Sequence, residues 1–312
     1  MPSWNDLLNE MQAQPDDGAR AQWLNARLGA ALNDIAGLRD GRNVLFYGSA
    51  FLQKPQLPGT ISGIANEDIN ALMSVLYGME WGKGLTLVLH TPGGATNAAE
   101  SIVAYLRSKF PDDLEVIVPT FAMSAGTMIS LAADRIWMGR QSQLGPIDPQ
   151  LFTQNRQASA MAIVEQFEEA RDDILANRDL AHVWAPLLQS QGPSLLKEAQ
   201  NALAYSERMV AEWLERWMLS GSTDPSPREH AQRVAHYFNN ATQHKSHGRR
   251  IDRDEARGQG LEIVDLEESQ DLQEAVLTAY HLFTIMVEHG PAAKVLLTSH
   301  GRAFVKNHLL PR

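Results

Sequence analysis

Two short segments of small residues each follow an apolar run and precede a helical pattern. Residues 91–94 are Thr-Pro-Gly-Gly, and residues 122–126 are Ala-Met-Ser-Ala-Gly. Gly93 and Gly94 lack side chains, so their backbone N–H groups can come close to a carbonyl oxygen. Ser124, at the start of a helix, lies where free amides and the helix dipole favour negative charge. Together these residues predict the acyl-transfer site of a serine hydrolase.

Each segment alone also has a simpler explanation. Pro92 followed by Gly93 suits the two central positions of a type II turn, and small residues around Ser124 permit tight packing of a helix on a sheet. In a parallel sheet, however, both segments lie at the carboxyl ends of neighbouring strands, where open α/β sheets bind ligands. The combination therefore favours a functional site over two unrelated turns.

A serine nucleophile needs a base that removes its proton. No histidine lies between His90, which we interpret as a strand-end residue, and His182. The residues directly after Ser124 therefore supply no imidazole. Lys197, on a helical stretch, is one candidate, but a lysine base requires burial that lowers its pKa from about 10.4. His247, in a polar segment, is the other candidate.

Asp148 lies in the segment 144–150 and is either a turn residue or a carboxylate that orients a catalytic group. His244 and His247 invite a metal site, but no carboxylate cluster or cysteine accompanies them, so we expect no metal. The sequence contains neither a P-loop nor a dinucleotide-binding glycine signature. We therefore expect no cofactor.

Composition narrows the class of protein. The 312 residues are 44% hydrophobic and carry a net charge of −10, which argues against general nucleic-acid binding. The chain has no cysteine, which excludes disulfides and a cysteine nucleophile and is compatible with the cytoplasmic location that we expect. The first residues do not predict a signal peptide. No apolar run approaches the roughly 20 residues of a membrane span, so we expect no membrane-spanning helix.

Hydrophobic periodicity predicts an α/β fold in which strands and helices alternate, with a mostly parallel sheet covered by helices. We expect Asn66 to cap one helix and Asn97 with Glu100 to form a capping box at another. The predicted strands lie at 43–51, 85–89, 114–119, 135–138 and, as the last one, 261–264. The predicted helices include 1–40, 67–77, 97–110, 125–133, 230–239, 252–258 and 272–287.

The chain divides into four predicted segments. Residues 157–220 look entirely helical, and a run of Ser, Gly, Thr, Asp and Pro at 220–227 predicts a linker. The segments are an N-terminal helical part at 1–40, a core with the nucleophile at 41–156, a helical arm at 157–220, and a part at 221–312 that completes the core and adds a closing helix.

Residues from about 43 to 264 resemble the Clp-protease/crotonase superfamily, and most closely the serine dehydrogenase proteinase family, near signal peptide peptidase A. A chance match to all of the motifs in order is improbable. They are Leu89-His90-Thr91-Pro92-Gly93-Gly94, Ala122-Met123-Ser124-Ala125-Gly126-Thr127, Gln143-Leu144-Gly145-Pro146-Ile147-Asp148-Pro149-Gln150, and His247-Gly248-Arg249-Arg250-Ile251 followed by Ala256 and Gly260-Leu261.

The resemblance implies a core of stacked ββα units with Ser124 as the nucleophile. The amides of Gly94 and Ala125 would form the oxyanion hole, and the protein would form a ring-like or otherwise closed homo-oligomer with sheltered sites. The catalytic histidine of the Clp proteolytic subunit has no counterpart in residues 147–150. Signal peptide peptidase A instead uses a downstream lysine, for which Lys197 is the candidate, whereas His247 falls on a histidine of the serine dehydrogenase proteinase pattern.

The leading hypothesis is an ATP-independent serine peptidase that acts on peptides or unfolded protein segments. Ser124 would attack the scissile carbonyl, and Lys197 or His247 would take its proton. Two alternatives use the same fold: a crotonase-like acyl-CoA enzyme, and a non-catalytic scaffold that binds peptides or assembles other proteins. The sequence is also compatible with a membrane or unfoldase partner.

Overall fold

The computed structural model of the chain describes residues 3–153, 156–190, 192 and 194–308. The chain forms two compact units. Unit 1 comprises Met1–Leu144 and Ile251–Arg312, and unit 2 comprises Gly145–Arg250. Two of the boundaries expected from the sequence, after residues 156 and 220, lie inside unit 2.

The strands and helices alternate through much of unit 1, as the periodicity predicts. The strands are β1 Asn43–Ser49, β2 Leu85–His90, β3 Leu114–Val118, β4 Phe121–Ala122, β5 Arg135–Met138, β6 Gln143–Leu144, β7 Gln150–Thr153, β8 Arg156–Ser159, β9 Ile263–Asp265, β10 Ala292–Thr298 and β11 Ala303–Asn307. The α-helices are α1 Trp4–Gln12, α2 Asp17–Leu38, α3 Gly59–Ser62, α4 Asp68–Leu76, α5 Thr96–Lys109, α6 Ala125–Leu131, α7 Ala160–Ala176, α8 Ala181–Gln189, α9 Leu195–Arg216, α10 Pro227–Asn239, α11 Ala241–His244, α12 Arg253–Gly258 and α13 Gln270–His289. Single 3₁₀ turns lie at Trp81–Lys83, Arg178–Leu180 and Leu266–Glu268.

A mixed seven-stranded sheet forms the centre of unit 1, in the order β11-β10-β1-β2-β3-β5-β9. The five strands from β1 to β9 in that order are parallel. This arrangement confirms the predicted α/β fold with its mostly parallel sheet. Strand β10 runs antiparallel to β1, and β11 runs antiparallel to β10. The expectation that 261–264 is the last strand was therefore wrong, because the hairpin of β10 and β11 extends the sheet.

The main sheet is buried because its strands are apolar on both faces. Every residue of β1, β2 and β3 is buried. Helices α1, α2 and α13 bury their apolar stripes against one face of the sheet, where Phe46, Val88 and Ile117 contribute to the same cluster. Burial on both faces holds the strands rigidly, so the loops that leave their carboxyl ends start from fixed positions.

Tertiary contacts, not side-chain caps, set the starts of two helices. Neither Asn66 nor Asn97 is a cap: α4 follows Glu67 and α5 follows Ala95, both without a side-chain cap bond. The Ala95 N–H instead donates to the Ile64 carbonyl at 3.0 Å. Both capping predictions were wrong, because the local pattern carries no information about these long-range bonds.

Unit 2 begins with an antiparallel hairpin of β7 and β8. The prediction that residues 157–220 are entirely helical was therefore wrong at its start, where Ser159 pairs with Gln150. The rest of that segment is mostly helical, and α9 packs against both α7 and α10. Helix α10 begins at Pro227 behind a cap in which the Ser226 hydroxyl accepts the Glu229 N–H at 3.3 Å. In the described ranges, no helix of either unit is long and apolar enough to cross a membrane.

A buried carboxylate joins the amino ends of the central strands. Glu115 is fully buried and accepts two hydrogen bonds from Arg39, at 2.9 and 2.8 Å, and others from Thr86 at 2.6 Å and Trp137 at 3.0 Å. Burial disfavours the charged form, but the bonds from Arg39 and Thr86 and the charge of Arg42 outweigh it and lower the pKa of Glu115.

We expect Glu115→Gln to lower the free energy of unfolding by about 3 kcal/mol or more at neutral pH, because it leaves the largely buried Arg39 guanidinium without its carboxylate partner. A lowered folded-state pKa means that the carboxylate stabilises the fold above its unfolded pKa of about 4.3 and stops doing so as the pH falls through the folded value. Urea denaturation of the wild type and the variant at pH 7 and near pH 3 measures the free energy of unfolding that the carboxylate contributes at each pH.

The matched control is Glu80→Gln, at an exposed ion pair with Lys83, which should change stability by less than about 1 kcal/mol. If Glu115→Gln lowered the free energy of unfolding equally at both pH values, the charged form of Glu115 would not be the stabilising one.

Candidate active site

Ser124 occupies a sharp elbow between β4 and α6. Its φ of 50° and ψ of −115° are rare for a residue with a side chain, and it is half-buried. Such a conformation costs on the order of 1–3 kcal/mol and persists where the surroundings impose it. Strain of this kind concentrates at functional sites, so the backbone supports the interpretation of Ser124 as a nucleophile.

Backbone hydrogen bonds join the segment 91–94 to the serine elbow. The Thr91 N–H donates to the Phe121 carbonyl at 2.9 Å, and the Met123 N–H donates to the Thr91 carbonyl at 3.1 Å. Thr91 and Ala122 thus form a parallel bridge beyond the ends of β2 and β3. The structure places the two segments side by side at the carboxyl end of the sheet.

Gly93 lies in direct contact with the elbow. A Cβ atom on Gly93 would lie 2.6 Å from the Ser124 Cβ, 2.7 Å from the Met123 oxygen and 3.1 Å from the Ala125 nitrogen. Its φ of +98° is also one that only glycine adopts without strain. Any larger residue at this position would push the diglycine bend away from the serine.

Two backbone amides at this place have no acceptor within unit 1. The Gly93 N–H donates to the Thr91 hydroxyl at 3.2 Å and is already used. In the described residues of unit 1, the N–H groups of Gly94 and Ala125 and the hydroxyl of Ser124 make no hydrogen bond. Ala125 is buried, and buried amides are nearly always paired, whereas Gly94 is exposed. The two donors are therefore suited to bind a substrate oxygen.

A histidine–carboxylate pair lies within unit 2. The His247 Nδ1 is 2.8 Å from the Asp148 Oδ1, and Gln150 donates to the other oxygen of Asp148 at 2.7 Å. Asp148 is fully buried, whereas the His247 side chain is 31% exposed. The carboxylate therefore fixes the ring so that Nδ1 carries the proton and Nε2 keeps its lone pair. This contact is compatible with the interpretation of Asp148 as an orienting carboxylate, which stays a prediction.

Lys197 does not have the surroundings that a lysine base needs. It is exposed on α9, so it lacks the burial that makes an amine a proton acceptor at neutral pH.

The remaining histidines named above have structural positions. His90 ends β2 and is fully buried, its Nδ1 lies 2.9 Å from the Thr120 hydroxyl, and burial lowers its pKa to about 3. His244 contacts the Tyr237 carbonyl through Nε2 and Arg249 through Nδ1, at 2.7 and 3.0 Å. Over the described parts of the chain, no group of three or more His, Asp or Glu side chains could hold a metal ion.

A buried ion pair near the diglycine bend was not predicted. Lys294 on β10 is fully buried, with Nζ 2.7 and 2.8 Å from the two oxygens of Asp68 at the start of α4. The Tyr47 hydroxyl also donates to Asp68, at 2.8 Å. The only sequence signal was a lysine inside the apolar run 292–297, where a charge must have a buried partner.

Comparison with known proteins gives a family for the middle of the chain. Residues 64–206 match the family model of the ClpP-like SDH-type serine proteinases. That range includes the diglycine bend, Ser124, Asp148 and Lys197, whereas His247 lies beyond it. The match confirms the resemblance to the serine dehydrogenase proteinases.

Two relatives come from Methanocaldococcus jannaschii. "Uncharacterized protein MJ0137" is 38% identical over 137 residues, which cover 43% of this chain and 47% of that protein. "Uncharacterized protein MJ1495" is 35% identical over 114 residues, covering 36% and 39% respectively. The chain therefore matches less than half the length of either relative.

Among solved structures, a mutant of the 1510-N membrane-bound stomatin-specific protease is similar at 18% identity and a TM-score of 0.40. The likeness covers 66% of this chain and 77% of that one. Over residues 64–206, slightly less than half of its length, the chain is similar to the ClpP-like SDH-type serine proteinases.

Proposed function

We propose that this protein is an ATP-independent serine peptidase that hydrolyses peptides or unfolded protein segments through an acyl-enzyme on Ser124. The observation that carries the proposal is the direct contact between the strained Ser124 elbow and the diglycine bend, next to two unpaired amides. The match of residues 64–206 to the model of a serine proteinase family supports the same reaction class.

In the proposed reaction the Ser124 oxygen attacks the carbonyl carbon of the scissile peptide bond. The carbonyl oxygen becomes an oxyanion that accepts hydrogen bonds from the N–H groups of Gly94 and Ala125. Each such donor is worth about 2.7–4 kcal/mol in the transition state. The base passes the serine proton to the leaving amine, and water then hydrolyses the ester by the reverse sequence. Gly93 contributes by its lack of a side chain, since its own N–H is bonded to Thr91.

His247 is the better-supported base. Its ring is oriented by the buried Asp148 carboxylate, which also stabilises the imidazolium that forms when the ring takes a proton. An imidazole has an ordinary pKa of about 6.5, so histidine serves as a base near neutral pH without special burial. Exposed Lys197 offers neither advantage. We therefore propose Ser124, His247 and Asp148 as nucleophile, base and orienting carboxylate.

Substrate, assembly and location belong to the same proposal. Peptides or unfolded segments are the proposed substrates, and a closed homo-oligomer in the cytoplasm is the proposed form. No cofactor, metal or nucleic acid has a role in this mechanism, because serine, imidazole and backbone amides supply all of its groups.

We expect Ser124→Ala to lower kcat/KM for a fluorogenic peptide or for casein by about 10⁴- to 10⁶-fold, because it removes the attacking hydroxyl. A fluorophosphonate probe should label the wild type at Ser124, identified by peptide mapping, and should not label the variant.

The control is Ser130→Ala, on the same helix, where the hydroxyl bonds only the Gly126 carbonyl. It should keep activity within about twofold. Full activity of Ser124→Ala would contradict the proposal. Coenzyme A binding by calorimetry without probe labelling would favour an acyl-CoA enzyme instead.

For the base, we expect His247→Ala to lower kcat by about 10³-fold or more, and Asp148→Asn by about 10²- to 10⁴-fold, since the ring loses its orientation. Lys197→Ala should remain within about twofold of the wild type. Steady-state kinetics on the same peptide measures all three.

His236→Ala is the matched control for His247, because His236 is an exposed histidine of unit 2 that also pairs with a carboxylate, Glu207. It should leave kcat unchanged. A large loss in Lys197→Ala together with a small one in His247→Ala would reverse the assignment of the base.

A further inference from the structure

Buried polar side chains hold a short segment beside the diglycine bend. The Ser49 hydroxyl donates to the Ser62 carbonyl at 2.5 Å, and the Lys294 ammonium donates to the Gly63 carbonyl at 2.7 Å. The Asp68 carboxylate accepts the Ala65 N–H at 2.9 Å. Residues 62, 63 and 65 are thus each bonded to a buried side chain from β1, β10 or α4.

The residue between these anchors, Ile64, pairs with the bend itself. Its N–H donates to the Gly93 carbonyl at 2.7 Å, and its carbonyl accepts the Ala95 N–H at 3.0 Å. These bonds form a parallel bridge between Ile64 and Gly94. The approach is close, because a Cβ on Gly94 would lie only 2.3 Å from the Ile64 oxygen. The position of Gly94 therefore depends on the position of Ile64.

The charged groups of Lys294 and Asp68 bond each other and the segment that carries Ile64. The Lys294 ammonium lies against both Asp68 oxygens and the Gly63 carbonyl. Asp68 accepts further bonds from Tyr47 and Ala65. Burial lowers the pKa of Lys294, opposed by the charge of Asp68. An apolar pair of similar volume is often at least as stable as a buried ion pair, so stability alone does not explain these charges.

We propose that Lys294 and Asp68 are positioning residues that hold the Gly94 amide at the oxyanion through Ile64. This inference rests on the proposed role of Gly94 as an oxyanion donor. A misplacement of about 1 Å of a catalytic group can cost about 100-fold in rate. Because the donor acts in the transition state, its displacement lowers kcat and leaves KM nearly unchanged.

The first test is Asp68→Asn, which keeps the shape of the side chain and removes its charge. We expect kcat for the fluorogenic peptide to fall about 10- to 100-fold with KM within about twofold. Hydrogen exchange followed by mass spectrometry should show at least about tenfold faster exchange at the Ile64 and Ala95 amides. Tyr47→Phe, which removes one bond to Asp68, should shift both readouts in the same direction by less and keeps the test usable if Asp68→Asn folds poorly.

The matched control is Glu115→Gln, which removes another fully buried carboxylate charge, at the amino ends of the strands. It should leave kcat within about twofold of the wild type, and any faster exchange should be spread over the fold rather than concentrated at the Ile64 and Ala95 amides.

A double variant, Lys294→Met with Asp68→Leu, separates positioning from stability. It removes both charges, so the melting temperature should recover relative to Asp68→Asn. The bonds to residues 63 and 65 stay lost, so kcat should remain low and exchange at the bend fast. If kcat and exchange recovered together with the melting temperature, the pair would be merely structural and the inference overturned.

Failure of the proposed function gives a different pattern of results. If the wild type neither cleaves peptides nor takes the fluorophosphonate at Ser124, the peptidase proposal fails, and the kinetic part of this inference fails with it. Hydrogen exchange then still decides whether the pair holds the bend. Unchanged exchange and unchanged kcat in Asp68→Asn, with an active wild type, would refute the positioning role alone.

Discussion

Two backbone hydrogen bonds, from Thr91 to Phe121 and from Met123 to Thr91, are the contact on which the rest of the candidate site depends. They prolong the pairing of neighbouring strands past the ends of β2 and β3, where the chain has already left the regular sheet. Without them, the diglycine bend and Ser124 would be two independent loops. With them, the unfavourable φ of Ser124 is imposed from both sides, because the chain before the elbow is paired and the chain after it is helical.

The buried charges of unit 1 divide between the two ends of the sheet. Glu115 joins the amino ends of β2, β3 and β5, where its partners are rigid elements and no loop of the site is near. Lys294 lies at the carboxyl end of β1, opposite Ser49, and its partners are the residues that flank Ile64. A charge network at the amino ends affects mainly the free energy of unfolding. One at the carboxyl end also determines where a loop backbone lies, and loops at that end bind ligands in open α/β sheets.

Much of this arrangement could be predicted from the sequence because it is encoded locally. The alternation of strands and helices and the two segments of small residues follow from periodicity and from residue size. The explanation by tight packing holds, since a Cβ on Gly126 would lie 2.4 Å from the Thr91 methyl group. The same packing brings the bend to Ser124, so it does not argue against the functional explanation, which stays a prediction.

The features that escaped prediction all depend on partners far away in the chain. The hairpin of β10 and β11 was missed because Lys294 interrupts an apolar run, and only Asp68, 226 residues earlier, explains how a lysine is buried there. The starts of α4 and α5 follow from bonds around residue 64 rather than from the asparagines nearby. The pairing of His247 with Asp148 spans 99 positions, so the sequence left lysine and histidine open as bases.

The two lysines show what decides whether a side chain can act as a base. A base needs a free lone pair within reach of the proton that it removes. Lys294 has the burial that lowers the pKa of an amine, but its ammonium is held by a carboxylate and a carbonyl, so losing a proton would leave Asp68 as an uncompensated buried charge. Lys197 is exposed and lacks the burial that a lysine base requires. His247 differs from both lysines, because the buried Asp148 carboxylate contacts one ring nitrogen, and a ring that donates from that nitrogen keeps the lone pair on the other. Orientation by a buried partner therefore favours the histidine more strongly than burial favours either lysine.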